Sequence, residues 1–269
     1  MDIGRAGYEI ITAADVKFTE AGFADEKALT IALLGRTLSH LKGVILLLEE
    51  RRIVEARALT RCCVENAFWV AGLRQEGNEF AEKMLADEAK RKTSQTQYLF
   101  ENHPDLDPAI QVRLRTWMQQ NENARRGKML NPKTVSELSD DFGRLYLFYS
   151  QLSSDSGHPS ITALSRYAIR STNGQFDGIN IEPTVSDEEI DSTYQIVCST
   201  VLTTLMGSIE ILKKGAELQG FPILAATLRT RAIAESFMAL AGGNTAETTK
   251  TATAQDSFEM IAAKNSCGC

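Results

Sequence analysis

Apolar residues recur at helical spacing along most of this chain. Leu29, Ala32, Leu33, Leu38, Leu41, Val44, Ile45 and Leu48 form one such series, which predicts a helix starting near Asp25. Glu49-Glu50-Arg51-Arg52 is a polar break. A second helix is predicted from about Ile53 to Leu73, with Ile53, Ala56, Thr60, Cys63, Val64, Ala67 and Ala71 on one stripe. A third, more polar helix covers about Glu76 to Glu101, and Asn102-His103-Pro104-Asp105 turns the chain into a shorter helix around Trp117. Arg125-Arg126-Gly127-Lys128 and Asn131-Pro132 read as a further connection. Thr134-x-x-Glu137 reads as a capping box opening a helix that carries Leu138, Phe142, Leu145, Phe148, Tyr149 and Leu152 and runs out at Ser153–Pro159. Residues 167–184 hold Asn173-Gly174 and Asp177-Gly178 between β-prone runs, as a short hairpin or ordered loop would. Ser186-x-x-Glu189 is a second capping box, before a helix predicted to reach about Leu218, and Phe221 to Leu240 is a last amphipathic segment.

The fold class that follows is all-α: a bundle of about seven to eight helices with a hairpin or ordered loop near 167–184, one domain over 1–241 and a Thr-rich tail over 242–269. All six prolines fall at or after Pro104, so the first three helices contain none of the residue that breaks helix interiors. At 43% hydrophobic the chain is too apolar for a disordered protein, and five cysteines in 269 residues are too few for a disulfide scaffold. A net charge of −6 excludes a broad basic face for nucleic acid but leaves room for a small Arg-lined pocket. The N-terminus lacks the basic and apolar regions of a secretory signal, and the longest apolar run, Val44–Leu48, is far short of a membrane span. A reducing cytoplasm is the expectation, with no membrane partner.

Two polar clusters carry candidate chemistry. Arg57, Arg61 and Glu65 stack at intervals of four on one face of the second helix, beside its apolar stripe. They suit a structural Arg–Glu pair or an exposed helix edge, or else a polar pocket in which a fork-shaped guanidinium holds an anion or reacting phosphate. Tyr146, Tyr149 and Ser153 share a later helix face, and His158 follows at that helix's end. The histidine could exchange protons near neutral pH, or stitch the helix end through a ring N–H. Cys267-Gly268-Cys269 could take a soft metal, a redox change or a lipid, or form part of a solvated tail, and Cys62-Cys63 read as core residues. Lys90-Arg91-Lys92 follow Asp87 and Glu88, as on a solvated helix face with pairs four residues apart; the interleaved acids weigh against the other reading, a nucleic-acid contact. The motifs Gly-x-x-x-x-Gly-Lys, Gly-x-Gly-x-x-Gly, His-Glu-x-x-His and Gly-x-Ser-x-Gly do not occur. No cofactor or metal is expected.

The run Ile53 to Glu65, with Tyr149-x-x-x-Ser153 and His158-Pro-Ser160 downstream, resembles a bacterial helical family catalogued only as a domain of unknown function, over roughly residues 30–240. The same pattern is distantly similar to HEPN domains, helical bundles that often cleave RNA in toxin and phage-defence systems. Their motif is Arg-x-x-x-x-His at a helix end. Here His158 takes the His position and Ser153 stands where the Arg belongs, so Arg57 or Arg61 would have to supply the guanidinium from the neighbouring helix. The resemblance implies metal-independent RNA cleavage or RNA binding and a homodimer. His158 would be the general acid or base and Arg61 and Arg57 the electrophilic donors, with Glu65 orienting an Arg and Tyr149 and Ser153 as auxiliary donors. The reading of a different class is a non-catalytic module that binds another protein, with Arg61, Glu65 and His158 in a structural network.

Overall fold

The computed structural model describes residues 3–14, 16, 22–123, 128–183 and 185–213. Its elements are α1 (Ile3–Ala13), α2 (Glu26–Glu49), α3 (Ile53–Glu76), α4 (Asn78–Asn102), α5 (Pro108–Gln120), α6 (Pro132–Ser136), α7 (Asp140–Gly143), α8 (Leu145–Leu152), α9 (Ile161–Ser165), β1 (Ala168–Arg170), β2 (Phe176–Ile179) and α10 (Asp187–Lys213). The protein is an all-α bundle with one antiparallel hairpin, as the periodicity predicts. The 221–240 segment, the tail with Cys267 and Cys269, and Arg125 and Arg126 lie outside the described residues.

Helix α3 is the axis. Cys63 and Asn66 meet Thr37, and Gly43 admits Leu59, so α2 runs antiparallel to α3. Arg57 meets Thr193 and Arg74 meets Glu210, so α10 runs parallel to it. Helix α8 packs on the remaining side, with Phe68 against Tyr149 edge-on at 5.7 Å. Surrounded in this way, α3 buries Ala56, Thr60, Cys63, Val64, Ala67, Phe68, Val70 and Ala71 completely. Each large side chain so buried stabilises the fold by about 1.5–3 kcal/mol. One core joins α1, α2 and α10 through Leu34, Leu38, Val44, Val201 and Leu205; the other lies under Phe68, Phe80, Phe142 and Ile211. By length and composition α2 and α10 could each span a bilayer, at a mean hydropathy of 1.5; the apolar stretch of α10 is 67% buried in the bundle and that of α2 39%.

Local chemistry sets the element ends. Asp25 caps α2 by accepting from the backbone N–H groups of Lys27 and Ala28. Gly77 ends α3 at φ +61°, a conformation glycine adopts without a side-chain clash. The box at Ser186 forms in both directions: Ser186 Oγ accepts from the Glu189 N–H, and Glu189 Oε2 accepts from the Ser186 N–H. The hairpin pairs Ala168 with Ile179 and Ile169 with Gly178, turning through Asn173-Gly174, where Gly174 has φ +80°.

Two expectations are corrected. Thr134 and Glu137 make no capping box: Asn131 is the cap, accepting from the Lys133 N–H, with Pro132 in the first turn, so Thr134 falls inside a five-residue helix. The single helix expected from Thr134 to Leu152 is three short ones: between α6 and α7 Ser139 breaks out in extended conformation (φ −152°, ψ 128°) and its hydroxyl accepts from Arg74, and Arg144 separates α7 from α8. Helix α1 was not anticipated. Its signal is Ile3, Ala6, Gly7 and Ile10, an interval of three, four and seven, of which Ala6, Gly7 and Ile10 are buried.

Candidate functional site

Helix α8 does not stop at Ser153. It widens into a π-helical turn, Ser153–Gly157, a rare local geometry that recurs at functional sites. The serines explain the turn: Ser154 Oγ donates to the Ser150 carbonyl at 3.1 Å and Ser156 Oγ to that of Leu152 at 2.7 Å, taking acceptors that the next turn of helix would use. His158 then leaves in extended conformation (φ −135°, ψ 148°), which the following Pro159 demands of it. Ser160 closes the loop. Its hydroxyl donates to the Ser154 carbonyl at 2.6 Å and accepts from the Ala163 N–H at 3.0 Å, capping α9.

This turn lies against α3, and two arginines one helical turn apart reach it. Arg61 Nε donates to Ser153 Oγ at 2.9 Å. Its Nη2 donates to Glu65 Oε1 at 2.8 Å and to the Tyr149 hydroxyl at 3.2 Å, and that hydroxyl donates to the same Glu65 oxygen at 3.0 Å. The guanidinium also sits 5.2 Å from the centre of the Tyr149 ring, within cation–π range. Burial works against its charge, but the Tyr149 bond and the Glu65 carboxylate outweigh it and hold the pKa above the ordinary value. Its Nη1 carries two N–H groups that no described residue accepts, and the side chain is 24% exposed. Gly157 faces this arginine: a β-carbon there would touch Arg61 Cδ and Nε at 3.5 Å.

Arg57 enters a different arrangement. Its Nη1 donates to Asp155 Oδ2 and lies 3.5 Å from Glu189 Oε1, while its Nε donates to the hydroxyl of Thr193, itself fully buried. Arg166, just after α9, donates from Nη1 to Glu189 Oε1 at 2.6 Å and from Nη2 to Asp155 Oδ1 at 3.2 Å. Arg57, Asp155, Arg166 and Glu189 thus form a closed ring of alternating charge drawn from α3, the π turn, the end of α9 and α10. Burial pushes the Asp155 carboxyl up, but its two arginines override that and hold it below the ordinary carboxylate range. Burial likewise opposes the Arg166 charge, and Glu189 and Asp155 more than restore it. Arg166 Nε is buried and has no acceptor among the described residues.

The structure therefore joins Arg61, Glu65, Tyr149 and Ser153 in one cluster, and Arg57 to a second beside it. His158 stands outside both. Its ring is exposed and forms no hydrogen bond or ion pair with a described residue, so it is no member of an Arg–Glu–His network. Asp155, Arg166, Glu189 and Thr193 were not expected here. Asp155 reads as turn chemistry, Glu189 as half of a capping box, and Arg166 has no spacing that marks it. Of the other candidates, Arg91 pairs with Asp87 at 2.7 Å and Lys92 with Glu88 at 3.0 Å, both pairs four residues apart. Cys63 is buried, which pushes its thiol up to about 12; Cys62 is half-buried, and burial with the Glu65 charge raises its thiol too. Neither is poised as a thiolate. A cavity of about 310 Å³ between Glu50–Glu55 and Ile181–Val185 is lined by none of the expected site residues.

A family of unknown function (DUF5677) matches residues 27–176. The chain belongs to that family. The match is shorter than the 30–240 that the resemblance suggested; it takes in Arg57, Arg61, Glu65, Tyr149, Ser153, Asp155, His158 and Arg166 and leaves out Glu189 and Thr193 on α10. No curated protein and no solved structure matches this chain.

Proposed function

We propose that this member of DUF5677 is a HEPN-like module that binds RNA and cleaves it without a metal, in a bacterial defence or toxin setting and as a homodimer. The observation that carries the reading is the bond from Arg61 Nε to Ser153 Oγ. It sets a guanidinium at the position where the HEPN motif has its own arginine, five residues before His158. Among the described residues none accepts from the two N–H donors on Arg61 Nη1, the groups a phosphate oxygen would take. His158 offers an exposed imidazole, a side chain able to serve as general acid or base.

In the reaction the ribose 2′-oxygen attacks the neighbouring phosphorus. The O2′–P bond forms and the P–O5′ bond breaks. One proton leaves the 2′-hydroxyl, one reaches the leaving O5′, and the products are a 2′,3′-cyclic phosphate and a 5′-hydroxyl. His158 handles one of those protons and water the other. Arg61 stabilises charge on the phosphoryl oxygens, Glu65 and Tyr149 hold the Arg61 fork, and Ser153 seats its Nε. Arg57, committed to Asp155, Glu189 and Thr193, supports from behind.

The test is degradation of single-stranded RNA by the purified full chain with EDTA present. Wild type should cleave, and His158→Ala and Arg61→Ala should each be slower by about a hundredfold or more. Equal rates for all three would sink the reading.

The second reading, a non-catalytic module that binds another protein, draws on one observation: every charge in the two clusters is balanced, Arg61 by Glu65 and two arginines by two carboxylates in the ring. It expects Arg61→Ala to cost about 3 kcal/mol of stability, as for breaking a buried pair, and RNA to be untouched. An unchanged melting temperature would count against it.

A further inference from the structure

The loop that carries His158 is tied at both ends, and the ties meet at one carboxylate. Before the histidine, Ser153 is held by Arg61, and Asp155 by Arg57. After it, Ser160 bonds back to the Ser154 carbonyl, and Arg166 returns to the same Asp155. Both oxygens of Asp155 are engaged by arginines, one fixed on α3 and the other on α10 through Glu189. Arg166 spans two carboxylates with its planar fork, Nη1 on Glu189 and Nη2 on both oxygens of Asp155, and so sets direction as well as distance. Asp155 lies three residues before His158 and Arg166 eight after it. The histidine backbone thus spans a short bridge whose two abutments are pinned together, while its ring is bound by none of the described residues.

We propose that Asp155 is a positioning residue for His158: with Arg57 and Arg166 it locks the π turn to the chain after α9 and so sets where the imidazole stands. Its kinetic consequence rests on the RNA-cleaving reading above; its effect on the ring does not. The ring of charges contributes no group to substrate. It removes freedom from the backbone that presents one, and misplacing a reacting group by about 1 Å costs on the order of a hundredfold in rate.

The chain has three histidines, so each ring is resolved in a spectrum of histidine-labelled protein. In the full-length wild type, His158, assigned by its loss in His158→Ala, should give one sharp ring C–H signal. In Asp155→Asn that signal should shift or broaden while those of His40 and His103 stay in place. Arg166→Lys, which keeps the charge but loses the fork, should do the same and carries the test if Asp155→Asn does not fold. A His158 signal unchanged in both variants overturns the proposal, whatever the protein does to RNA. If wild type cleaves RNA, Asp155→Asn should lower kcat by about tenfold or more with KM within about twofold; an unaltered kcat overturns it as well. A wild type inactive on RNA whose His158 signal moves in the variants supports the clamp and defeats the RNA reading instead, so the two fail separately.

Discussion

Arg57 and Arg61 lie one turn apart on α3 and meet the same π turn, yet their surroundings differ in kind. Arg57 belongs to a closed ring. Its partners are carboxylates from two other segments, and the Arg57, Asp155 and Arg166 side chains are each 15% exposed or less. Arg61 belongs to an open cluster. Its carboxylate is local, four residues along the same helix, and two of its five N–H groups meet no acceptor among the described residues. A guanidinium taken out of water must have its charge answered, and the ring does so for two at once. A guanidinium left a quarter exposed can keep donors in reserve. The difference separates holding from acting: the ring fixes backbone, and the open cluster has something left to offer a ligand.

The sharpest way to break that contrast is to empty the ring. Asp155→Ala removes the carboxylate shared by two arginines and should cost about 3 kcal/mol, read as a shift in denaturant midpoint. Arg61→Ala should cost less, about 1 kcal/mol, because both members of its pair are partly solvated. A loss from Arg61→Ala equal to that from Asp155→Ala would mean the two clusters are alike, and would favour the structural reading. Acid separates the clusters further. The folded Asp155 carboxyl titrates below its unfolded value of 3.8, so the stability it supplies is complete above that pH and is lost as pH falls below it toward the folded value. Wild type should therefore lose stability more steeply below about pH 4 than Asp155→Asn, and parallel pH profiles would contradict the ring. The smallest effect belongs to the exposed pair of Lys92 with Glu88 on α4. Lys92→Ala should change stability by about 0.5 kcal/mol or less, and by less still in high salt.

Much of the bundle is legible along the chain. The spans of α2, α3 and α4 follow from apolar spacing and proline-free sequence, and the hairpin from Asn173-Gly174, since these signals act within a turn or two. The helix expected over 134–152 failed because tertiary bonds outweighed periodicity: Ser139 is worth more to Arg74 as an acceptor than to a continuous helix. In the site, Arg61 and Glu65 were visible because they are neighbours on one helix, and Tyr149 and Ser153 because they share a face. Arg166 was not. Nothing in Leu164-Ser-Arg166-Tyr indicates that its guanidinium folds back eleven residues to Asp155 and across to Glu189.

The sequence alone determined the helical class, the break at His158-Pro159 and the stacked charges on α3, because backbone propensity and helical spacing are local. Only the tertiary structure decided which charges answer one another. It gave Arg57 rather than Arg61 to Asp155, turned half a capping box at Glu189 into a ring member, and left the His158 ring without a partner among the described residues. Those choices depend on distances between segments up to 136 residues apart, which burial and charge neutralisation settle together when α3, α8 and α10 pack.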